Sequence, residues 1–235
     1  MNQGMQNHKY LLNRKAYICA MSELVVILDV VSGKYFAMTQ DSASSIGELI
    51  EGWPIRGAMR RELSALQPLL DRNLITSDRT AGKPAIAVCA DPATDWLVEV
   101  YPRGCPVIRS AHLRRFVSSL ACSATLKRFA TLETIIERVT FRRAQNQTQD
   151  IDLSDLRELV RVFDWLRPFA FKKQNECFLL CLTLFEFLSR YSVHPKWVFG
   201  VRERPFEAHC WLQYQNQVLT DTPFNVGRMT PILVV

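Results

Sequence analysis

Between residues 177 and 185 the chain reads C-F-L-L-C-L-T-L-F, nine consecutive residues without a charge. A run this short cannot cross a bilayer, which takes about 20 apolar residues. It therefore has to be buried in a core that the protein makes for itself. Leu180, Cys181, Leu184 and Leu188 recur at helical spacing and form the buried stripe of one helix. The residues after this helix read as strands: W-V-F-G-V-R-E (197–203), then A-H-C-W-L-Q-Y-Q-N-Q-V-L-T-D, a hairpin with its polar turn at Tyr214-Gln215-Asn216.

The start of that helix carries chemistry. Asn175 can cap it, which leaves Glu176 and Cys177 in the first turn. A thiol at a helix N-terminus meets unpaired N–H groups and the positive end of the macrodipole, and both favour thiolate. Cys177 is thus the candidate nucleophile, whereas Cys181 lies one turn deeper in the apolar stripe; plain core packing is the alternative for both. A cysteine nucleophile needs a base and a group that orients the base. With a turn centred on Gln215, His209 and Asp221 face each other across the hairpin, close enough for the carboxylate to hold one imidazole nitrogen. A zinc site from Cys177, Cys181, His209 and Cys210 is disfavoured because adjacent strand residues point to opposite faces, so no metal is expected. His8, His112 and His194 read as surface histidines.

The N-terminal third has a different grammar. Residues 24–39 (L-V-V-I-L-D-V-V-S-G-K-Y-F-A-M-T) give two β-rich runs around a turn at Ser32-Gly33. A helix follows, with Asp41 as N-cap and Gly52 just past its end, and then a second helical stripe of Leu63, Leu66, Leu69 and Leu70 that Pro68 divides. Strands followed by helices make a small α+β unit of winged-helix type. Prolines at 84, 92, 102 and 106 mark a linker. Beyond it Leu113, Phe116, Val117 and Leu120, and later Leu132, Ile135, Ile136 and Val139, repeat at helical spacing. The expected organisation is a unit over 1–80, a linker over 81–108 and a second α+β domain over 109–235.

Charge excludes some functions. The chain carries 29 basic and 23 acidic residues, a net +6, and 48% of its residues are hydrophobic, which rules out disorder. The basic excess is local: residues 103–143 hold nine basic residues against Glu133 and Glu137. It reads as the polar face of amphipathic helices, with a docking surface for a partner as the alternative. A winged-helix nucleic-acid binder would need a basic recognition helix. Arg56, Arg60 and Arg61 are offset there by Glu62 and Asp71, so no nucleic-acid partner is expected. The first twenty residues show no export signal and the seven cysteines have no regular spacing, which points to reduced thiols in a cytoplasm.

The stretch from Cys177 through V-F-G-V-R-E-R-P-F-E-A-H-C-W to L-T-D resembles the B protein of lasso-peptide biosynthesis, whose protease domain is similar to bacterial transglutaminases and papain-like cysteine proteases. The resemblance covers 151–235 closely and 110–150 loosely. It implies a cysteine peptidase that cleaves a ribosomally made precursor at the leader–core junction, with Cys177 as nucleophile, His209 as base and acid, and Asp221 as orienter. Residues 16–77 are similar to the family's PqqD-like leader-recognition domain, three strands followed by three helices. This implies that the leader peptide binds as an added strand beside Tyr35-Phe36-Ala37-Met38, against Leu66, Leu69 and Leu70. The implied partners are the precursor peptide and an asparagine-synthetase-like cyclase. No cofactor is expected: the chain lacks a G-x-x-x-x-G-K-[ST] loop, so any ATP dependence falls to the cyclase. The rival within thiol enzymes is a transglutaminase or amidase acting on another acyl donor.

Overall fold

A computed structural model describes residues 9–55, 63–91, 93, 105–145, 151–171 and 176–235. Outside them lie His8, Arg56, Arg60, Arg61, much of the proline-marked linker, and Asn175. The chain divides into two compact units. The first comprises residues 1–89, 201–207 and 230–233, and the second residues 90–200, 208–229 and 234–235.

In the first unit, β1 (Leu11–Asn13), β2 (Ala16–Ala20), β3 (Leu24–Asp29) and β4 (Lys34–Thr39) precede α1 (Gln40–Ile46), and α2 (Gln67–Asp71), β5 (Ile75–Thr76) and β6 (Gly82–Lys83) follow. Strands β2, β3 and β4 form an antiparallel sheet in that order, so β4 is an edge; the register pairs Asp29 with Lys34 across a turn that Gly33 closes at φ +68. β5, β1 and β6 make a second small sheet. Val25 and Ile27 of β3 meet Ile46, Ile50, Trp53, Leu66 and Leu69 in one core. The helix cap differs from expectation: Thr39, with extended backbone, accepts from Ser42 N–H at 3.4 Å, and Asp41 sits in the first turn instead. Pro68 does divide the leucine stripe, since it occupies the first turn of α2. Gly82–Lys83 pairs with β1 and Ala85 is buried in this core, so the beginning of the stretch read as linker is built into the unit. Within the same unit the Glu203 carboxylate accepts from Ser22 Oγ (2.6 Å), Glu23 N–H (2.7 Å) and Leu24 N–H (2.9 Å), and Phe206 packs edge-on against Tyr35.

The second unit opens with α3 (Ser110–Phe129), α4 (Leu132–Gln145) and α5 (Leu153–Leu166), whose N-cap Asp152 accepts from Ser154 N–H at 2.7 Å. In chain order helix α6 (Cys177–Ser189) follows, then β7 (Lys196–Arg202), β8 (Glu207–Tyr214), β9 (Gln217–Val218), the single turn α7 (Pro223–Val226) and β10 (Thr230–Val234), with residues 201–202, 207 and 230–233 of these strands counted in the first unit. The sheet order is β10-β7-β8-β9. Helix α6 is buried from Cys181 to Leu188, which answers the demand set by its apolar run. Helix α3 packs on it, but through Phe116, Ser119 and Ser123, while Leu113 and Val117 are exposed. Ser119 meets a polar partner there, its Oγ accepting from Arg190 Nε–H at 3.0 Å. Two of the basic residues reach inward from half-buried positions: Arg138 Nε (3.1 Å) and Arg142 Nη1 (2.7 Å) clamp Glu186, which is 1% exposed on α6. His194, expected at the surface, is buried beside Phe185.

Candidate active site

Cys177 is the first residue of α6, and its N-cap, Glu176, makes no side-chain capping bond. The thiol opens into a cavity of about 410 Å³ whose walls include Arg167, Pro168, Phe171, His209, Thr220 and Asp221.

His209 comes from β8. Its Nε2 lies 2.6 Å from Asp221 Oδ2, and its ring also hydrogen-bonds the Cys177 thiol. With Nε2 engaged, Nδ1 is the nitrogen left for the thiol. The ring lies nearly parallel to the indole of Trp211, two residues on, with centroids 6.3 Å apart at 22°. Trp211 is fixed in turn: it is buried, Nε1–H donates to Gln213 Oε1 at 3.2 Å, and its far edge rests on Gly200 of β7, where an added Cβ would come within 2.8 Å of Cζ3.

The structure brings His209 and Asp221 together by a route other than the expected ladder. The observed register pairs Gln213 with Val218 and Tyr214 with Gln217, one residue away from a turn centred on Gln215. A regular continuation would set His209 opposite Thr222. The ladder instead stops: after Leu219 N–H donates to Leu212 O, Thr220 turns its hydroxyl to accept from Leu212 N–H at 3.0 Å, and the chain leaves the sheet. Asp221 then lies at the entrance to α7. Its Oδ1 accepts from Thr222 N–H at 2.7 Å and from Asn225 Nδ2–H at 2.8 Å, leaving Oδ2 for the imidazole.

These contacts set the protonation states. Burial raises the Asp221 pKa, but the bonds from His209, Asn225 and Thr222 outweigh it and hold the carboxyl below its ordinary range. The bond to Asp221, followed by the one to Cys177, pushes His209 up to about 9. Cys177 is pulled both ways: its hydrogen bond with Cys210 and its burial drive the thiol up to about 12 against the pull of His209. Cys210 and burial thus oppose the pull that His209 exerts toward thiolate, and Cys177 and His209 titrate as one coupled pair.

Sequence reasoning weighed Cys210 only as a zinc ligand. Alternation puts it on the other face of β8 from His209, yet its thiol meets both Cys177 and Cys181. Contact with Cys177 lowers its pKa, but Cys181 and burial carry it well above the ordinary value, so it stays a thiol. Cys181 is buried and donates its S–H to Cys210 O at 3.3 Å. Among the described residues no three His, Cys, Asp or Glu side chains are grouped to hold a metal ion. Of the residues named for peptide binding, Leu66 and Leu69 are buried in the first unit's core, whereas Phe36, Met38 and Leu70 pack partly exposed against it, and the Arg72 guanidinium lies 5.1 Å over the Phe36 ring.

Residues 117–234 match the family described as the transglutaminase-like superfamily. Comparison with curated proteins gives no match, and comparison with solved structures gives none. The matched stretch is half of the chain and contains Cys177, His209 and Asp221. A thiol enzyme is the reading this supports, and the chain belongs to the transglutaminase-like superfamily.

Proposed function

We propose that the protein is a cysteine peptidase that removes the leader from a ribosomally made lasso-peptide precursor. The observation that carries this reading is the 2.6 Å His209–Asp221 bond beside a thiol at a helix N-terminus. Once the Cys177–His209 pair has lost one proton, the Cys177 sulfur attacks the carbonyl carbon at the leader–core junction. The proton on His209 then passes to the leaving amine, and the leader remains as a thioester. Water, giving its proton to His209, releases the leader and restores the thiol. The Cys177 N–H, in the first turn of α6, is placed to stabilise the oxyanion. Asp221 keeps the ring turned toward the sulfur and stabilises its imidazolium form.

The first unit supplies recognition in this reading. Among the described strands β4 ends its sheet, with β3 as its neighbour on one side, so an added strand would lie along its other side, and Phe36, Met38 and Leu70 give that strand an apolar flank. The freed core peptide passes to an asparagine-synthetase-like cyclase, which provides the ATP chemistry. The setting is cytoplasmic.

The test is incubation of the precursor with enzyme, with the products read by mass spectrometry. Cys177→Ala should abolish cleavage and Cys181→Ala should retain it; the reverse pattern would remove the assignment. Added primary amine distinguishes the transglutaminase rival, which would incorporate the amine without net hydrolysis.

A further inference from the structure

Five consecutive residues, Asp-Thr-Pro-Phe-Asn (221–225), contain the carboxylate that faces His209 and the groups that hold it. Pro223 occupies the first turn of α7, a position that needs no N–H. Thr222 caps that turn, its Oγ1 accepting from Asn225 N–H at 3.3 Å. The cap brings the Asn225 side chain back over Asp221, where Nδ2–H donates to Oδ1 at 2.8 Å beside the Thr222 N–H at 2.7 Å. Both bonds fall on one carboxylate oxygen, and the other is 2.6 Å from His209 Nε2. A carboxylate can turn about its χ2, and one bond to the imidazole does not choose which oxygen makes it or in which plane. Two donors on Oδ1 do. Asn225 is exposed and contributes little to any core, so its side chain has this bond as its evident role.

We infer that Asn225 is a positioning residue of the active site, fixing the Asp221 carboxylate so that Oδ2 is presented to His209. The inference rests on the Cys177–His209–Asp221 triad reading and adds to it a fourth residue, which stands behind Asp221 and is not among the residues lining the cavity. Its effect travels through Asp221 to the proton held on His209. Among the described residues, the other titratable or charged groups lining the cavity are Arg167, Glu176, Cys181 and Cys210, and substitutions at Asn225 and Asp221 leave all of them in place.

The test reads the thiol directly and needs no peptide substrate. Iodoacetamide is reacted with the full-length protein over a pH series, and the rate is followed by mass spectrometry on the Cys177 peptide, which separates it from the exposed Cys89 and Cys105. In the wild type the rate rises through a midpoint set by His209, near 9. Asn225→Leu keeps the size and removes the donor; its midpoint should fall by about one unit or more toward the ordinary imidazole value, and Asn225→Ala should do the same. Asp221→Asn gives the limit of that fall, and adding Asn225→Leu to Asp221→Asn should move the midpoint no further. An unmoved midpoint in both single variants overturns the inference, as does an equal shift in the Asp221→Asn background, which would show Asn225 acting apart from the carboxylate. His209→Ala separates the two levels: a profile identical to wild type removes the triad and the inference with it, whereas a lost limb in His209→Ala with normal Asn225 variants removes the inference alone.

Discussion

Gly200→Ala is a small change with a calculable effect. The new Cβ would lie 2.8 Å from Trp211 Cζ3, 3.0 Å from Cη2 and 3.0 Å from Met229 Cβ. Carbon atoms in contact prefer about 3.5–4.0 Å, so three contacts are short at once. The indole cannot swing aside, because it is buried and tied to Gln213, whose amide is itself held by Asp91 O at 3.0 Å. Overpacking of this kind costs about 1–3 kcal/mol. Gly200 has no positive φ, so replacing it also narrows the unfolded ensemble and returns roughly 0.4–1 kcal/mol. The net expectation is a loss centred on about 1.3 kcal/mol, with about 2.6 kcal/mol as its upper bound, measured as a lower urea midpoint at unchanged slope. Because His209 stacks on the same indole, precursor cleavage should fall as well. Trp211→Phe removes the ring atoms that clash, so Gly200→Ala should cost less in that background than alone. An alanine variant as stable as wild type, or one whose cost is unchanged by Trp211→Phe, would show that the indole is not what Gly200 makes room for.

The clamp on Glu186 should respond asymmetrically. Arg138 and Arg142 are 37% and 30% exposed and can regain water, so Glu186→Gln should cost about 1–2 kcal/mol, whereas replacing both arginines by alanine strands a carboxylate that is 1% exposed and should cost about 3–5 kcal/mol; equal losses by denaturant unfolding would contradict this. Stability should also track pH through the active site. His209 titrates at about 9 in the fold against an ordinary 6.5, so its contribution is full below about 6.5 and is lost as pH rises through about 9. The Asp221 carboxyl is held below its ordinary 3.8, so its contribution is present above that value and is lost as pH falls through the lowered one. Melting temperatures over a pH series should decline on both flanks, and Asp221→Asn should flatten the change between about 6.5 and 9; an unchanged slope in that variant would count against the coupling.

The parts of this protein that are legible in sequence are those with a periodic or positional signal. Helix α6 follows from its apolar run and Cys177 from its place at the head of that run. His209 and Asp221 are reached through a hairpin register that is off by one, and the pair survives because Thr220 takes the chain out of the ladder before the slip can matter. Elsewhere the deciding forces are not local. Helix α3 buries Ser119 and leaves Leu113 and Val117 exposed, and Ser119 is held there by Arg190, seventy-one residues on, whose Nε–H donates to its Oγ at 3.0 Å. Arg138 and Arg142 look like a solvated face until Glu186, more than forty residues away, is seen between them. Strands of two residues, such as β5, β6 and β9, are too short to carry a period, and the Asp221–Asn225 bond depends on a cap geometry that a string of residues does not display.

The membership of the two units bears on how the chain can be made and cut. The first unit takes its last segments from residues 201–207 and 230–233, so it is complete only when those residues have been synthesised. A nascent chain that stops at residue 89 lacks the Glu203 carboxylate that receives three donors around Ser22 and the Phe206 ring beside Tyr35. Translation order therefore does not become folding order here. A fragment ending at residue 89 would expose the β2–β3 turn and one side of Tyr35, whereas a nick in a loop, with every residue retained, would leave those bonds available.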